Sequence, residues 1–161
     1  MAALSAVVVG NTAWQKVSKA LSSASPAAQE AFRSLKIYLA NQALNPSLNV
    51  GFFDATTIQG NASGVLIGTG TAKVYGVYAK KGSVATLAFV KVADDVSGAA
   101  TAATWKIGMN LTGASDESFY VNYNPTAYVS GIAVGSHTTF TGATVSTGVT
   151  TCPDGFVIYS V

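Results

Sequence analysis

The sequence predicts a mainly β protein, an antiparallel β-sandwich of jelly-roll or immunoglobulin-like type, preceded by an N-terminal arm and an α-helix. Valine, isoleucine, threonine, tyrosine and phenylalanine dominate after Pro46, and glycines interrupt them at short, regular intervals. Before Pro46 the apolar residues recur with a helical period. Many short strands separated by turns indicate a sandwich or barrel and argue against parallel βαβ units.

The first 21 residues predict an extended arm and a short helix. Residues 1–10 include Val7-Val8-Val9, whose β-branched side chains favour extended backbone. Residues 12–21 have helical spacing. The apolar stripe of this helix is Trp14, Val17 and Leu21, and Lys16 and Lys19 lie off it.

A longer helix is predicted over residues 26–44. Ser25 is a suitable N-cap, and Pro26 fits the first helical position because its missing N–H has no partner there. Asn45-Pro46 ends the helix, since the residue before proline is pushed out of the α region. The apolar residues of this helix form a stripe, which must be buried against the chain's own β-domain or against a neighbouring protein. Its residues are Ala28, Ala31, Phe32, Leu35, Leu39 and Ala43, and Gln29, Arg33, Lys36 and Gln42 form the opposite face.

Beyond Pro46 the pattern predicts strands and the turns between them. Lys80-Lys81-Gly82-Ser83 predicts a hairpin turn, and Pro153-Asp154-Gly155 predicts a turn with a positive φ at glycine. The chain thus divides into residues 1–46, an arm with one or two helices, and residues 47–161, the β-sandwich domain. The predicted strands are 48–53, 64–68, 72–80, 84–92, 103–109, 117–123, 127–134, 142–149 and 155–161.

The surface of this protein is poor in charge. Apolar residues make up 49% of the chain and charged residues 10%, against about 25% charged residues in ordinary soluble domains. Such a surface favours a protein that is largely covered by partners, although a β-domain with a Ser, Thr, Asn and Gly surface has the same composition. No apolar run reaches the ~18 residues that a membrane helix needs, so we expect no membrane partner.

The charge distribution argues against nucleic acid and is compatible with an N-terminal segment that docks onto an acidic partner. The net charge is only +2, which gives no global attraction for a polyanion. Residues 1–45 nevertheless hold four cations, Lys16, Lys19, Arg33 and Lys36, against the single acid Glu30. Cys152 is the sole cysteine, so no disulfide forms within the chain, which fits assembly in a reducing cytoplasm.

The sequence contains no constellation for catalysis, and we expect no enzyme, no cofactor and no metal. His137 is the single histidine, and its neighbour Ser136 points to the opposite face of a strand. One histidine and one cysteine cannot form a zinc site in one chain. We therefore interpret His137 as a surface or strand-end residue. The acidic pairs Asp94-Asp95 and Asp116-Glu117 lie next to predicted turns, where acidic residues are common.

Aromatic residues are the remaining candidates for a binding surface. Trp105, Phe119, Tyr120, Tyr123 and Tyr128 are close together in the sequence. Strand alternation places Phe119 and Tyr120 on opposite faces, so at least one face of this cluster is exposed or interfacial. Three readings stay open: sandwich core, a protein interface, or a surface that stacks on sugar rings.

From about residue 70 to the end, the chain resembles small β-domains of tailed-bacteriophage virion structural proteins. The resemblance implies a β-sandwich capsid decoration (cement) or head-fibre protein, or a neck or tail component, and it implies no catalytic residues. The chain departs from it over residues 1–46 and at Trp105-Lys106-Ile107-Gly108-Met109. The resembling segments are Thr71-Ala72-Lys73-Val74-Tyr75-Gly76-Val77-Tyr78-Ala79, Ala88-Phe89-Val90-Lys91-Val92-Ala93-Asp94, Tyr128-Val129-Ser130-Gly131-Ile132-Ala133-Val134 and Asp154-Gly155-Phe156-Val157-Ile158-Tyr159.

These observations lead to two hypotheses. The first is a capsid-stabilising decoration protein on the outer capsid surface, assembled in the bacterial cytoplasm, expected to be a homotrimer that binds the major capsid protein or other virion proteins. On this hypothesis, removing residues 1–46 leaves a folded β-domain that no longer binds. The alternative is a tail-fibre or host-surface carbohydrate-binding module. The residues expected to bind the partner are Trp14, Lys16, Lys19, Phe32, Arg33, Lys36, Tyr120 and Tyr123.

Overall fold

The computed structural model describes residues 11–41, 48–58, 65–82, 88–95, 105–125, 127–138 and 153–161. The helices within these ranges are α1 (Asn11–Leu21), α2 (Pro26–Ala40) and the single-turn α3 (Ala55–Ile58). The strands are β1 (Leu48–Phe53), β2 (Val65–Thr69), β3 (Ala72–Lys81), β4 (Ala88–Asp94), β5 (Trp105–Leu111), β6 (Glu117–Val121), β7 (Ala127–Tyr128), β8 (Gly131–His137) and β9 (Pro153–Ser160).

The strands form two antiparallel sheets, and their pairing is that of a jelly roll. Sheet A has the order β1-β9-β3-β6, with β7 also paired to β3, and sheet B has the order β2-β8-β4-β5. Leaving out the two-residue β7, the described part of the chain has eight strands, which pair first with eighth, second with seventh, third with sixth and fourth with fifth. This is one long hairpin rolled into a two-sheet sandwich. The predicted antiparallel sandwich is therefore confirmed, and its pairing differs from the immunoglobulin-like one.

An apolar core fills the space between the two sheets. Val90 and Val92 of sheet B are fully buried there, as are Val77 and Val157 of sheet A. Their positions follow strand alternation, since residues two apart point to the same face. Phe89 of β4 lies off the face that Val90 and Val92 share.

Sheet A is apolar on its other face as well, and the helices cover it. Tyr78, Phe156 and Ile158 point away from sheet B and are at most 2% exposed. Leu35 of α2 lies directly over Gly76 of β3, where an added Cβ would be 3.0 Å from the leucine side chain. The chain thus has three layers: helices, sheet A and sheet B. This changes the expectation for removal of residues 1–46, which would expose an apolar sheet face.

Both long helices begin and pack as their sequences predict. The stripe of α1 is buried, with Trp14 8%, Val17 0% and Leu21 3% exposed. In α2, the hydroxyl oxygen of Ser25 accepts a hydrogen bond from the backbone N–H of Ala28, which caps the helix start. The helix itself ends at Ala40, and Asn41 is its C-cap. The predicted end at residue 44, before Asn45-Pro46, is therefore wrong, because the helix is already capped at Asn41. The domain boundary that we predicted at 46 lies outside the described residues.

Two predicted turns are wrong because their residues belong to strands. Lys80 and Lys81 continue β3 and pair with Asp154 and Pro153 of β9. Gly155 is a glycine because two strands approach closely: a Cβ there would lie 1.9 Å from the carbonyl oxygen of Tyr78. It has no positive φ, in contrast to Gly70 between β2 and β3, whose φ is 80°. Pro153 is the first residue of β9, a position where a missing N–H is tolerated.

The predicted strand 127–134 is divided between the two sheets. Ala127 and Tyr128 pair with β3, whereas the strand from Gly131 onwards pairs with β2 and β4. The carboxylate of Asp94 accepts hydrogen bonds from the backbone N–H groups of Val129 and Ser130 and holds the crossing between the sheets. Lys106 forms an ion pair with Asp94 at 2.9 Å.

The electrostatics of Asp94 reflect this role. Burial by itself raises the pKa of Asp94, but the hydrogen bonds from Ser130, Lys106 and Val129 outweigh burial and lower its pKa to about 2. Asp94 is therefore an ionised anchor of the fold at neutral pH.

Other predicted features lie outside the described residues. They include the arm at 1–10, residues 83–87 of the hairpin and of the predicted strand 84–92, the strand at 142–149, and Cys152. Within the described part of the chain, no helix is both long enough and apolar enough to cross a membrane.

Sheet B carries two buried basic side chains side by side. His137 is the last residue of β8, as expected for a strand-end residue, but it is only 2% exposed. Its strand partner is Phe89, two residues from the fully buried Lys91. Burial, with a smaller effect of the nearby Lys91 charge, lowers the pKa of His137 from 6.5 to about 4.

We expect the Gly155→Ala variant to lose about 2 kcal/mol or more of unfolding free energy, because the added methyl overlaps the Tyr78 carbonyl and the strands must separate. Urea unfolding measures the loss. Gly113→Ala is the matched control, because its Cβ meets nothing closer than 3.9 Å. Equal effects of the two substitutions would contradict the close approach of β3 and β9.

We also expect His137 to make the fold sensitive to mild acid. The unfolded chain binds a proton near pH 6.5, whereas the folded chain takes it up only near pH 4. Because the unfolded chain binds the proton more tightly, the unfolding free energy has its full value above about pH 6.5 and falls as the pH falls towards 4. We expect the unfolding free energy to decrease by about 2 kcal/mol between about pH 7 and about pH 5. His137→Gln should flatten this part of the curve in urea unfolding, since the sequence has no other histidine. An unchanged slope would disprove the assignment.

Candidate functional site

The residues predicted to bind a partner lie at three places around the helical layer. Lys16 and Lys19 of α1 are exposed beside the ends of β1 and β9. Arg33 and Lys36 of α2 are exposed above the junction of the two helices, where Trp14 and Phe32 are buried or half-buried. Tyr120 and Tyr123, 37% and 44% exposed, lie in and just after the edge strand β6.

The buried aromatic residues of this set join the helices to sheet A. The rings of Trp14 and Phe32 lie 5.4 Å apart, and Phe32 lies 6.3 Å from Phe119 of β6. Trp14 is 8% exposed, so most of its surface contacts the chain itself. Lys36 lies over the Trp14 ring, with its amine 5.7 Å from the ring centre. These contacts leave the cations Arg33 and Lys36 as the exposed part of this region.

The turn between α1 and α2 is fixed to sheet A by two polar side chains. One carboxylate oxygen of Glu117 accepts a hydrogen bond from the backbone N–H of Ser25 at 2.6 Å, and the other accepts from the Tyr78 hydroxyl at 2.7 Å. The amine of Lys80 donates to the Ser23 carbonyl oxygen at 3.0 Å. A carboxylate at the first turn of α2 also interacts favourably with the helix dipole.

These contacts shift the protonation of both partners. Burial raises the pKa of the Glu117 carboxyl group, but the hydrogen bonds from Ser25 and Tyr78 lower it further than burial raises it. Burial, together with the charge of Glu117, raises the pKa of the Tyr78 hydroxyl above its usual value. At neutral pH the pair is therefore an ionised acceptor and a protonated donor, which is the stronger form of hydrogen bond.

Beside this turn lies a cleft of about 590 Å³, which we name the lysine cleft. Its volume is within the range of about 300–1,000 Å³ typical of binding pockets. The residues that line it come from α1, the end of β1, β3 and β9. They are Lys16, Lys19, Ala20, Ser23, Phe52, Phe53, Asp54, Tyr78, Lys80, Lys81, Asp154 and Gly155.

The two carboxylates of the lysine cleft are already bound to the turn around α3. Asp54 accepts hydrogen bonds from the Thr56 hydroxyl and the Thr57 N–H, and these hydrogen bonds lower its pKa. Asp154 accepts from the Ala55 N–H at 2.7 Å. Neither has a lysine or arginine nitrogen of the described residues within 4.0 Å. Both acids therefore bind the local turn, and neither forms an ion pair with Lys16 or Lys19.

A second hollow of about 330 Å³ lies between α1 and α2. Gln29 and Arg33 line it together with Lys36. The side-chain amide of Gln29 donates to the Leu21 carbonyl oxygen at 2.9 Å, which joins the two helices. Arg33 forms an exposed ion pair with Glu30, a kind of pair that contributes little to stability.

The exposed tyrosines form a separate edge. The hydroxyl of Tyr38 in α2 donates to the Tyr123 carbonyl oxygen at 2.6 Å, and the two rings meet edge to face at 4.9 Å. Phe119 faces the helices, whereas Tyr120 is exposed, so the predicted split of this pair is confirmed. Tyr128, by contrast, is buried in the core between the sheets.

The described residues contain no group of three or more histidine, cysteine or acidic side chains that could hold a metal ion. His137 lies in sheet B, away from the lysine cleft. Its buried Nδ1 has no hydrogen-bond partner among the described residues.

Sequence reasoning missed half of the lysine cleft. Phe52, Lys80 and Asp154 are distant in sequence and meet only because β1, β9 and β3 are neighbours in sheet A. The Lys80-Lys81 dipeptide was the available signal, but a turn explained it equally well.

Comparisons with known proteins add little to this geometry. No protein-family profile matches the chain, and no curated protein matches it. A chain of the T13 IBDV viral particle is similar over 71% of this sequence, at 13% identity and a TM-score of 0.26. This chain spans about a third of that protein, 35% of its length. A likeness of this size carries no argument about fold or function.

We expect the Glu117→Gln variant to lose about 1–2 kcal/mol of unfolding free energy, because the charge is lost and one of the two acceptor oxygens becomes an NH2 group, which cannot accept a hydrogen bond. Urea unfolding of the full chain measures the loss. Glu30→Gln removes an equal charge from an exposed ion pair and should cost less than about 0.5 kcal/mol. If both variants lose the same amount, Glu117 does not fix the helical turn to the sheet.

Proposed function

We propose that this chain is a non-enzymatic structural protein of a virus particle, a decoration protein that binds the outer surface of the capsid. The observation that carries the proposal is the first-with-eighth pairing of the eight strands, a jelly roll with a helical layer on one sheet. Jelly rolls recur in viral capsid proteins, in lectins and in cupins. The step from fold to virion is an analogy of fold, so other features must choose among these classes.

Composition and chemistry favour the structural role. Cupin enzymes need a cluster of metal-binding side chains, and this sequence has one histidine and one cysteine. Charged residues make up only 10% of the chain, which suits a surface covered by partners in an assembly. The resemblance to small virion β-domains of tailed phages adds to this support. The partners in the proposal are the major capsid protein or other virion proteins.

The helical layer provides the surface for that role in the proposal. The inner face of the helical layer packs against sheet A, so only its outer face can contact a partner. That outer face carries Lys16, Lys19, Arg33 and Lys36. Glu117 and Lys80 hold the turn between the helices on sheet A, so this face is already formed before binding. A preformed face loses less conformational entropy on binding than an arm that must order.

Carbohydrate binding is the competing function, and the exposed Tyr120 and Tyr123 favour it. Aromatic rings can stack on sugars. The surface available for stacking is small, however, because it consists of two rings and the Tyr123 ring already packs against Tyr38. A glycan array separates the two functions. Saturable sugar binding that Tyr120→Ala or Tyr123→Ala abolishes would favour the carbohydrate module over the decoration protein.

The direct test is the location of the chain. We expect antibodies against it to label the outside of gradient-purified virus particles, and the purified chain to bind particles that lack it. Light scattering should give three times the 16.3 kDa chain mass if the protein is the expected homotrimer. Absence of the chain from purified particles, with no binding on addition, would contradict the proposal.

A further inference from the structure

We infer that the lysine cleft binds a short acidic segment of a partner protein, with an apolar side chain against Phe52 and carboxylates against Lys16 and Lys19. The inference rests on the proposed function for the identity of the partner, which would be a neighbouring virion protein. The chemistry of the occupant is argued from the cleft alone.

The rim of the cleft supplies two lysines, Lys16 and Lys19, that form no ion pair with a described carboxylate. Lys16 and Lys19 are three residues apart in α1, so their side chains lie on one helix face. Both are exposed, and neither has a described carboxylate within 4.0 Å. Lys80, which donates to Ser23, adds a third cation nearby. Carboxylates of a partner can therefore pair with Lys16 and Lys19 without breaking an ion pair of this chain.

The floor of the cleft is apolar at Phe52. Phe52 is 36% exposed, a large exposed fraction for a phenylalanine, and its ring lies 6.1 Å from Phe156 of the neighbouring strand. The amine of Lys16 lies 5.7 Å from the centre of the Phe52 ring. An apolar side chain placed there would cover the exposed part of the ring and shield the adjacent cation from water, which strengthens its attraction for a carboxylate.

The two acids that line the cleft favour a peptide ligand over a polyphosphate ligand. Asp54 and Asp154 are carboxylates that accept hydrogen bonds from the α3 turn, and they would repel a continuous phosphate backbone. A peptide places its charges at separate side chains and can present its backbone N–H groups to these acids. The mixture of an apolar floor, a cationic rim and two acids therefore fits an acidic peptide better than a nucleic acid.

The binding test uses the full chain and a fluorescein-labelled twelve-residue peptide of glutamate and leucine, followed by fluorescence anisotropy. We expect saturable binding that weakens as NaCl is raised, and at least a tenfold loss of affinity for Lys19→Glu. Lys73→Glu is the matched control, an exposed lysine of β3 outside the cleft, and should stay within twofold of the original chain. Circular dichroism verifies folding, and Lys19→Gln replaces the reversal if that variant unfolds.

Three results would overturn the inference. The peptide does not bind, Lys73→Glu weakens binding as much as Lys19→Glu, or a labelled dT12 oligonucleotide binds more tightly and depends on Lys19. The last result would mean that the ligand is a polyphosphate.

A failure of the peptide-binding inference can be distinguished from a failure of the proposed decoration role. If the chain binds particles and Lys19→Glu leaves that binding unchanged, the inference is wrong and the decoration role stands. If the chain is absent from particles but the peptide binds through Lys19, the decoration role is wrong and the site stands.

Discussion

Sheet A is apolar on both faces, and the rest of the structure follows from this constraint. A strand buried on one side alternates apolar and polar residues, but β3 and β9 alternate between two sets of buried residues. Val77 and Val157 face sheet B, whereas Tyr78, Phe156 and Ile158 face the helices. A jelly roll of two sheets alone would leave this second set in water, so the fold needs a third layer.

Apolar burial, more than polar contact, drives the formation of that layer. Burying a Leu- or Phe-sized side chain contributes about 1.5–3 kcal/mol, whereas a neutral hydrogen bond contributes about 1 kcal/mol. Val17, Leu35 and Leu39 of the helices are at most 2% exposed, so their burial outweighs the contacts of Glu117 and Lys80. The polar contacts instead fix where the helical turn lies on the sheet. That position brings α1 beside Phe52 and forms the lysine cleft.

The elements with strong periodicity could be predicted from the sequence, and those set by strand neighbours could not. The start of α2 follows from Ser25-Pro26, and β1 has the predicted bounds. The turn predicted at Pro153-Asp154-Gly155 was wrong because a glycine needed for close strand approach has the same local signature as one needed for a turn. The split of 127–134 depends on Asp94, more than thirty residues away in the sequence.

The candidate site was predictable only on its helical side. Lys16 and Lys19 stood out because they lie off an apolar stripe, a local pattern. Phe52 and Asp154 become part of the cleft through the pairing of β1 with β9, which requires the whole jelly roll.

The central claim is that the helices belong to the same cooperative unit as sheet A. Native-state amide hydrogen exchange tests it directly by comparing Leu35 and Leu39 of α2 with Val157 and Ile158 of β9. The account predicts opening free energies for the two sets that agree within about 1 kcal/mol, because sheet A loses one covered face if the helices leave. Helix amides that exchange several kcal/mol more easily, while β9 stays protected, would contradict it.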